Sequence, residues 1–368
     1  MKIGVPKEVK DKEARVAIVP EGVKSLVAAG NIVIIEKGAG IGSGYTDKLY
    51  ELAGAVIVTV DKAWDVELVV KVKEPQETEY QYLNGQMVFT FFHLAGVSKR
   101  LTEALISQKV TAIAYESLED EAGRLPILEP MSAIAGNMSV LMGAYYLSQY
   151  NHGNGMQLGS VLGVGYGKVV IIGDGVVGRH AAKVAVAMGA KVVVAGLDKA
   201  RWLRHYQQQL AGVEYVQSNE QNIAKQIRDA DLVVGAVLCR GLRAPKVLTE
   251  KMLKEMGRGS VVVDVSIDQG GCFETSRVTS HSDPVFIKHG VIHYCVSNMP
   301  GAYPRTSTEA LAKTTIAYIE EIAGLGVGRL VEDVRMVKAI NIYKGVIVVE
   351  EVARELNLMS YYGVIDAL

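Results

Sequence analysis

Lys168–Gly178 reads KVVIIGDGVVG, an apolar run that enters Gly173, Gly175 and Gly178. Val176 then opens a segment with helical spacing, VVGRHAAKVAVAM. Three glycines spaced this way between a strand and a helix make a cradle for a pyrophosphate. The first permits a tight turn, the second lets phosphate oxygens approach the backbone, and the third lets helix and strand pack closely. The helix start adds unpaired N–H groups and the positive end of its dipole. A further strand at Lys191 supplies the βαβ context that a purely structural glycine turn does not need. The reading is dinucleotide binding, with the Asp174 side chain turned away from the phosphates.

Four other residues are of types that do chemistry. Arg15 interrupts the apolar, strand-like stretch Ala14–Pro20; its planar fork suits a carboxylate, or it is a surface charge at a strand start. Lys73 closes ELVVKVK, and a lysine at the carboxyl end of a parallel strand lies on the ligand edge of a sheet. Lys71, two residues earlier, shares its face and competes for that role. His93 follows FTFF, where it is either a packed core residue or a group titrating near neutrality. Asp268, in VDVSIDQGGC, follows the strand Ser260–Val265 and is either a reactive carboxylate or a turn-forming residue; Asp264 falls inside that strand.

The elements around these residues alternate. Strands are predicted at Lys2–Pro6, Asn31–Lys37, Glu67–Lys73, Gln86–Phe92 and Val110–Tyr115, with a helix at Pro20–Ala29 stopped by Gly30. Met131–Gln149 reads as a long connecting helix and Asn151–Gly167 as loop. A second series has strands at Lys168–Ile172, Lys191–Ala195, Leu232–Ala236, Ser260–Val265 and Val291–Val296. Thr306–Gly324 is an amphipathic helix, and a polar-faced helical tail follows. The fold class is α/β: two Rossmann-like domains with mostly parallel sheets, joined by long helices. The expected boundaries are 1–130 with 305–368 for a discontinuous substrate domain and 131–304 for the dinucleotide domain.

With 368 residues, 49% hydrophobic and 21% charged, the chain has material for two cores. A net charge of −1 gives no electrostatic reason to expect nucleic acid or an anionic membrane as partner. Three cysteines without CxxC spacing imply reduced thiols rather than disulfides or a zinc site, and no metal is expected. The start MKIGVPKEVK lacks the long apolar region of a signal peptide, and Lys, Glu or Asp interrupts each apolar run. A soluble, cytoplasmic protein is expected.

The stretches MKIGVPKE, ARVAIVPEGV, EKGAGIGSGYTD, KVKEP, FTFFHLA, AIAYES, EPMSAIAG, GDGVVG, DLVVGAVL, VDVSIDQGGCFETSR and VSNMPGAYPRTST follow in order along the chain. In this series the chain resembles the alanine dehydrogenases, which share ancestry with the nucleotide-binding subunit of proton-translocating transhydrogenase. The likeness runs from Met1 to about Thr308. It implies reversible, NAD-dependent oxidative deamination of L-alanine to pyruvate and ammonia, in a homo-hexamer whose two domains close over the cofactor. It also implies hydride transfer to the pro-R face. Arg15 and Lys73 would hold the substrate, and His93 and Asp268 would be the acid–base groups. Met131, with Phe91, would wall the substrate methyl pocket. The implied cofactor positions are Ser132, Gly173, Gly175, Val176, Gly178, Gly196, Arg201, Ser218, Val237, Leu238, Ile267, Asp268, Arg277, Asn298 and Met299.

Three places depart from the family pattern. Gly159–Val164 reads GSVLGV without the usual Pro, and Asn137 stands where an Arg usually follows IAG. Gly196 occupies the position, eighteen residues past Gly178, where an acid ordinarily grips the ribose 2′-hydroxyl. Asp198 is the nearest acid, on a loop free to swing in, and Lys199, Arg201 and Arg204 are near. NADP use alongside NAD is therefore expected, and Gly196→Asp is expected to restore the ribose contact. Two other functions compete. A transhydrogenase-like nucleotide-binding subunit would not need His93 or Asp268. An opine or saccharopine-type dehydrogenase would need room for two substrates.

Overall fold

The computed structural model describes residues 1–96, 98–206, 208–239 and 243–365. The chain divides into two compact units, Met1–Met131 with Gly301–Leu368, and Ser132–Pro300. Along the chain the first unit contributes strands β1 (Lys2–Val5), β2 (Ile32–Glu36), β3 (Val56–Val58), β4 (Leu68–Lys73), β5 (Met87–Phe91) and β6 (Thr111–Ala114). The second carries β7 (Gly159–Val161), β8 (Val164–Tyr166), β9 (Lys168–Ile172), β10 (Lys191–Gly196), β11 (Glu214–Gln217), β12 (Leu232–Gly235), β13 (Val261–Asp264), β14 (Val285–Lys288) and β15 (Val291–Tyr294). The tail adds β16 (Ile340–Tyr343) and β17 (Val346–Ile347) to the first unit.

The first sheet has the order β17-β16-β6-β5-β4-β1-β2-β3, with β1 to β6 mutually parallel where they pair. The strands β4, β5 and β6 are buried along their whole length. Strands covered on both faces read as continuous β-branched and apolar runs, which is why LVVKVK and MVFTF are legible. The second sheet has the order β11-β10-β9-β12-β13-β15-β14, parallel except for the β14–β15 pair. From β9 the chain winds outward one way through β10 and β11, then resumes on the other side at β12. The carboxyl end of β9 is thus the switch point at which ligands bind in open α/β sheets.

The structure corrects several sequence expectations. Ala14–Pro20 belongs to no strand. The segment expected as loop contains the antiparallel β7–β8 hairpin, whose two turn residues Leu162 and Gly163 have φ of 50° and 82°. Two consecutive positive φ values match the twist of a tight hairpin. The tail, expected to be helical, contains a second such hairpin: Lys344 and Gly345 (φ 46° and 86°) turn β16 back into β17. β16 then pairs antiparallel with β6 and extends the first sheet. The short strands β3, β11 and β14, three or four residues each, had too few residues to show a period. The helix expected over 306–324 runs from Pro304 to Arg329 and is broken at Gly326, where φ is 64°. Among the described residues no helix is long and apolar enough to cross a membrane.

The tail strand gives a direct check. Ile342 is fully buried in β16. Ile342→Ala should lower the unfolding free energy by roughly 2–5 kcal/mol, as core truncations do. A denaturant titration showing less than about 0.5 kcal/mol, the range of surface substitutions, would place Ile342 outside the core.

Candidate active site

In the first unit Lys73 and His93 sit at the carboxyl ends of the parallel strands β4 and β5, while Arg15 lies on the loop after β1 and Met131 on the helix Leu128–Tyr146. β1 pairs with β4 only at Ile3–Leu68 and Gly4–Val69. Beyond that point the Glu8 carboxylate takes the place of a neighbouring strand, accepting from Val72 N at 2.6 Å and Lys73 N at 3.3 Å. Lys71, 0% exposed, lies between Glu79 (2.7 Å) and Glu8 (3.2 Å). Burial by itself would lower the Lys71 pKa; the two carboxylates outweigh it and hold the pKa above its ordinary value. Lys71 is thereby committed to the fold and drops out as a competitor of Lys73. The Lys73 ammonium lies 6.0 Å from the centre of the Phe91 ring.

Phe91 stacks in turn on His93, with ring centres 5.8 Å apart and planes 4° from parallel. His93 has φ of 48°, a left-handed backbone that non-glycine residues adopt at a penalty of roughly 1–2 kcal/mol. Glu116, just past β6, holds it there: its oxygens accept from Phe92 N at 3.2 Å and His93 N at 2.6 Å. His93 Nδ1 stands 3.9 Å from the same carboxylate. Arg15, 2% exposed, is forked onto Glu13, with Nε to Oε1 at 2.7 Å and Nη2 to Oε2 at 2.5 Å. Its Nη1 donates to Met131 Sδ at 3.2 Å. The Nε–Nη2 edge that could grip a ligand carboxylate bidentately is therefore taken by Glu13. A ligand would meet the Nη1 edge, where the Met131 sulfur sits.

In the second unit the glycine loop follows β9. A Cβ at Gly178 would stand 1.9 Å from Gly173 O, and one at Gly173, whose φ is 118°, would stand 2.2 Å from Ala236 O. At Gly175 nothing lies within 4 Å of the added atom. Gly175 also precedes the helix Val176–Met188, whose start has no side-chain cap. The first and third glycines are needed for packing, and the second leaves an open approach to uncapped amides. That arrangement fits a pyrophosphate. Ser218 N donates to Gly196 O at 2.8 Å, joining the ends of β10 and β11. Val237 lies past β12 and exchanges two hydrogen bonds with Ser266 Oγ (3.0 and 2.7 Å). Leu238 beside it is exposed.

Past β13, a 3-10 turn over Val265–Gln269 buries Ile267 and leaves Asp268 exposed. Asp264 is buried and accepts from Ser266 N, Cys272 N, Phe273 N and Ser276 Oγ. Burial still raises its pKa, and it shapes the loop that presents Asp268. Asn298, past β15, is buried with φ of 59°, and its carbonyl bonds His281 Nε2 at 3.1 Å. Met299 is buried in the core of this unit. Ser132 is half-buried on the helix Leu128–Tyr146. Arg277 lies over the Phe286 ring at 4.3 Å, and no described contact ties it to the glycine loop.

Position 196 is not as the sequence suggests. A Cβ at Gly196 would meet Tyr215 Oη at 2.2 Å and the Asp174 carboxylate at 2.6 Å, so Gly196→Asp cannot simply restore a ribose contact. Asp198 does not swing in either, because its side chain caps the helix Lys199–His205 through Arg201 N at 2.9 Å. The Asp174 carboxylate accepts from Arg201 Nη2 and from Tyr215 Oη on β11. Sequence reasoning missed Glu8, Glu13, Glu116 and Tyr215. Glu8 and Glu116 stand inside the stretches MKIGVPKE and AIAYES, and Glu13 directly precedes ARVAIVPEGV, so the signal of the first two was present but unassigned.

Comparison with known proteins adds an independent line. The N-terminal domain model of the alanine dehydrogenase/PNT family matches residues 4–135, and its C-terminal domain model matches residues 139–350. An alanine dehydrogenase of Staphylococcus haemolyticus (strain JCSC1435) is 46% identical over 373 aligned positions, covering 100% of this chain and 99% of that protein. A solved L-alanine dehydrogenase superposes with TM-score 0.91 at 44% identity, over 97% of this chain and 99% of that one. A transhydrogenase structure from Sinorhizobium meliloti superposes with TM-score 0.80 at 25% identity, over 95% of this chain and 100% of that one.

The buried carboxylates make stability depend on pH. Burial is the main cause that pushes Glu8 from its ordinary 4.5 to about 7, partly opposed by Lys71 and reinforced by Glu13 and Glu79. Its contribution to stability is fully present below about pH 4.5 and is lost as pH rises through about 7. Across that window the wild type should lose on the order of 3 kcal/mol from this group. Glu8→Gln should flatten that slope in denaturant titrations at a series of pH values; an unchanged slope would exclude Glu8 as its source.

Proposed function

The chain belongs to the alanine dehydrogenase/PNT family and is a nicotinamide-dependent amino-acid oxidoreductase; on that premise we propose that its substrates are L-alanine and pyruvate. The overall reaction takes L-alanine, water and the oxidised dinucleotide to pyruvate, ammonium, the reduced dinucleotide and a proton. When bound, the nicotinamide accepts the α-hydrogen with its electron pair. The single observation that carries the reading is the pinned backbone of His93. A left-handed histidine held by Glu116 just past a strand end is local strain of the kind that clusters at active sites.

The chain's own residues account for the remaining steps. Arg15, through its Nη1 edge, and Lys73 neutralise the substrate carboxylate, and Lys73 also polarises the keto oxygen in the reverse direction. Met131 and Phe91 take the methyl group, which limits the substrate to small side chains. Once the ammonium of L-alanine has released a proton to the medium, loss of the α-hydrogen with its electron pair leaves an iminium, to which water must add with loss of a proton. Ammonia must then leave the carbinolamine, and its nitrogen must be protonated first. His93 takes the proton of the water and gives it to the nitrogen, and the hydroxyl proton freed as the carbinolamine collapses goes to the released ammonia to make ammonium, so His93 ends as it began. The exposed carboxylate of Asp268 stabilises the iminium cation. In the second unit, Gly173, Gly175, Val176 and Gly178 cradle the pyrophosphate, while Val237, Leu238 and Asn298 line the strand ends beside it. A homo-oligomer is the proposed assembly, to be sized by light scattering.

The direct experiment is dinucleotide reduction by the purified chain with a panel of amino acids. Alanine should be the best substrate, and no reduction with any amino acid would remove the proposal. His93→Ala should lower turnover by at least ~10²-fold, within the range of a lost acid–base group, while dinucleotide affinity measured by fluorescence quenching stays within about twofold. Near-normal turnover would take His93 out of the mechanism.

Arg15→Lys keeps the charge and loses the Nη1 donor on the side a ligand would meet. The Michaelis constant for pyruvate should rise roughly tenfold or more, as for a lost charge-assisted hydrogen bond, with little change for the dinucleotide. Because Glu13 also loses its fork, the melting temperature should fall too. A rise confined to the dinucleotide constant would overturn the assignment.

A further inference from the structure

One departure of this sequence, Gly196, lies beside an acid of the glycine loop in the second unit. Position 196, at the carboxyl end of β10, is glycine where dinucleotide-binding strands ordinarily end in an acid, and position 174, inside the glycine loop, is aspartate. A side chain at 196 would project into the volume that Asp174 fills, because its Cβ would lie 2.6 Å from both Asp174 Cγ and Oδ2. The carboxylate is 11% exposed and held from two directions. Tyr215 on β11 donates from Oη to Asp174 Oδ2 at 2.9 Å, and Arg201 Nη2 donates to Oδ1 at 3.3 Å.

Burial first, and the hydrogen bond to Asp174 next, push the Tyr215 phenol above its ordinary range. It therefore keeps its proton at neutral pH and remains a donor. Each oxygen of a carboxylate offers two acceptor directions, so one hydrogen bond to each oxygen leaves capacity for a ligand hydroxyl. The nearest alternative acid, Asp198, is spent on its own helix cap. Tyr215 explains why the acid could not stand at 196, since its Oη occupies the space 2.2 Å from where that Cβ would be.

We infer that Asp174 is the carboxylate that reads the adenosine ribose: it accepts from the 2′-hydroxyl and repels a 2′-phosphate, so the chain selects NAD over NADP although position 196 is glycine. The inference rests on the reading of the second unit as dinucleotide-binding. It reverses the expectation that Gly196 alone relaxes the choice. The same carboxylate engages Arg201, whose guanidinium is 47% exposed and has the fork geometry to bind a phosphate. Asp174 thus acts twice against a 2′-phosphate, by its own charge and by occupying the cation that would bind it.

The test is equilibrium binding by calorimetry of two probes, ADP-ribose and its 2′-phosphorylated form, to the intact protein. The wild type should bind ADP-ribose at least roughly tenfold more tightly, the equivalent of about 1.4 kcal/mol. Asp174→Asn, which keeps the shape and removes the charge, should weaken ADP-ribose and tighten the phosphorylated probe, bringing the ratio to about one or below. Tyr215→Phe leaves every charge in place and loosens only the carboxylate's support, so it should lower the ratio by a smaller factor. It also covers the case in which the Asp174 variant does not fold. A wild type that binds both probes equally, or an Asp174→Asn protein or Tyr215→Phe protein with an undiminished ratio, overturns the inference and leaves the dinucleotide reading intact. Binding of neither probe overturns both.

Discussion

Lys71 carries a positive charge in the middle of a strand that is buried from end to end. An ammonium in such a place must be matched by carboxylates, since an unpaired buried charge costs several kcal/mol. Glu8 and Glu79 supply the match, and in doing so they fix the segments on which they stand. Glu8 lies on the loop after β1, so pairing with Lys71 draws that loop across the end of β4. There its Oε1 also accepts from the amides of Val72 and Lys73. Lys73 is therefore presented by a backbone that pairs with β5 on one edge and with a side chain, in place of β1, on the other. Glu13 and Arg15 continue the same loop and repeat the pattern as a second buried pair.

The second unit solves a different problem, the close approach of backbone to backbone. Gly178 lies so near Gly173 O that any side chain would force the helix off the sheet. That closeness aims the uncapped start of the helix Val176–Met188 at the end of β9. Asp174 and Gly196 belong to the same packing problem. Two residues that each look unfavourable alone, an acid in a phosphate loop and a missing acid at a strand end, become one arrangement once Tyr215 and Arg201 are placed around them.

His93 and Asn298 show how the fold stores strain. Both have left-handed backbones without being glycine, and both stand just past the carboxyl end of a strand. Glu116 overdetermines the first through two amide hydrogen bonds. Removing such an anchor releases the backbone as well as a contact, so positioning residues of this kind affect a site through geometry they do not themselves touch.

Local chemistry was readable from the sequence alone. The glycine loop, the strands β1, β2, β4, β5 and β9, and the carboxyl-end positions of Lys73, His93 and Asp268 follow from runs and spacings within about ten residues of each other. The hairpin signals Leu162–Gly163 and Lys344–Gly345 were also present locally, but β16 gains its meaning only by pairing with β6, over two hundred residues away in the chain. The tertiary structure decided the pairings. Which of two lysines is committed to the fold depends on Glu8 and Glu79 reaching Lys71, and whether Gly196 is a vacancy depends on Asp174 and Tyr215, neither of which is its neighbour in sequence. Backbone propensity acts over a few residues and leaves its mark in the order of residue types. Charge neutralisation and excluded volume act over a few ångströms, and only the folded chain sets which residues those ångströms separate.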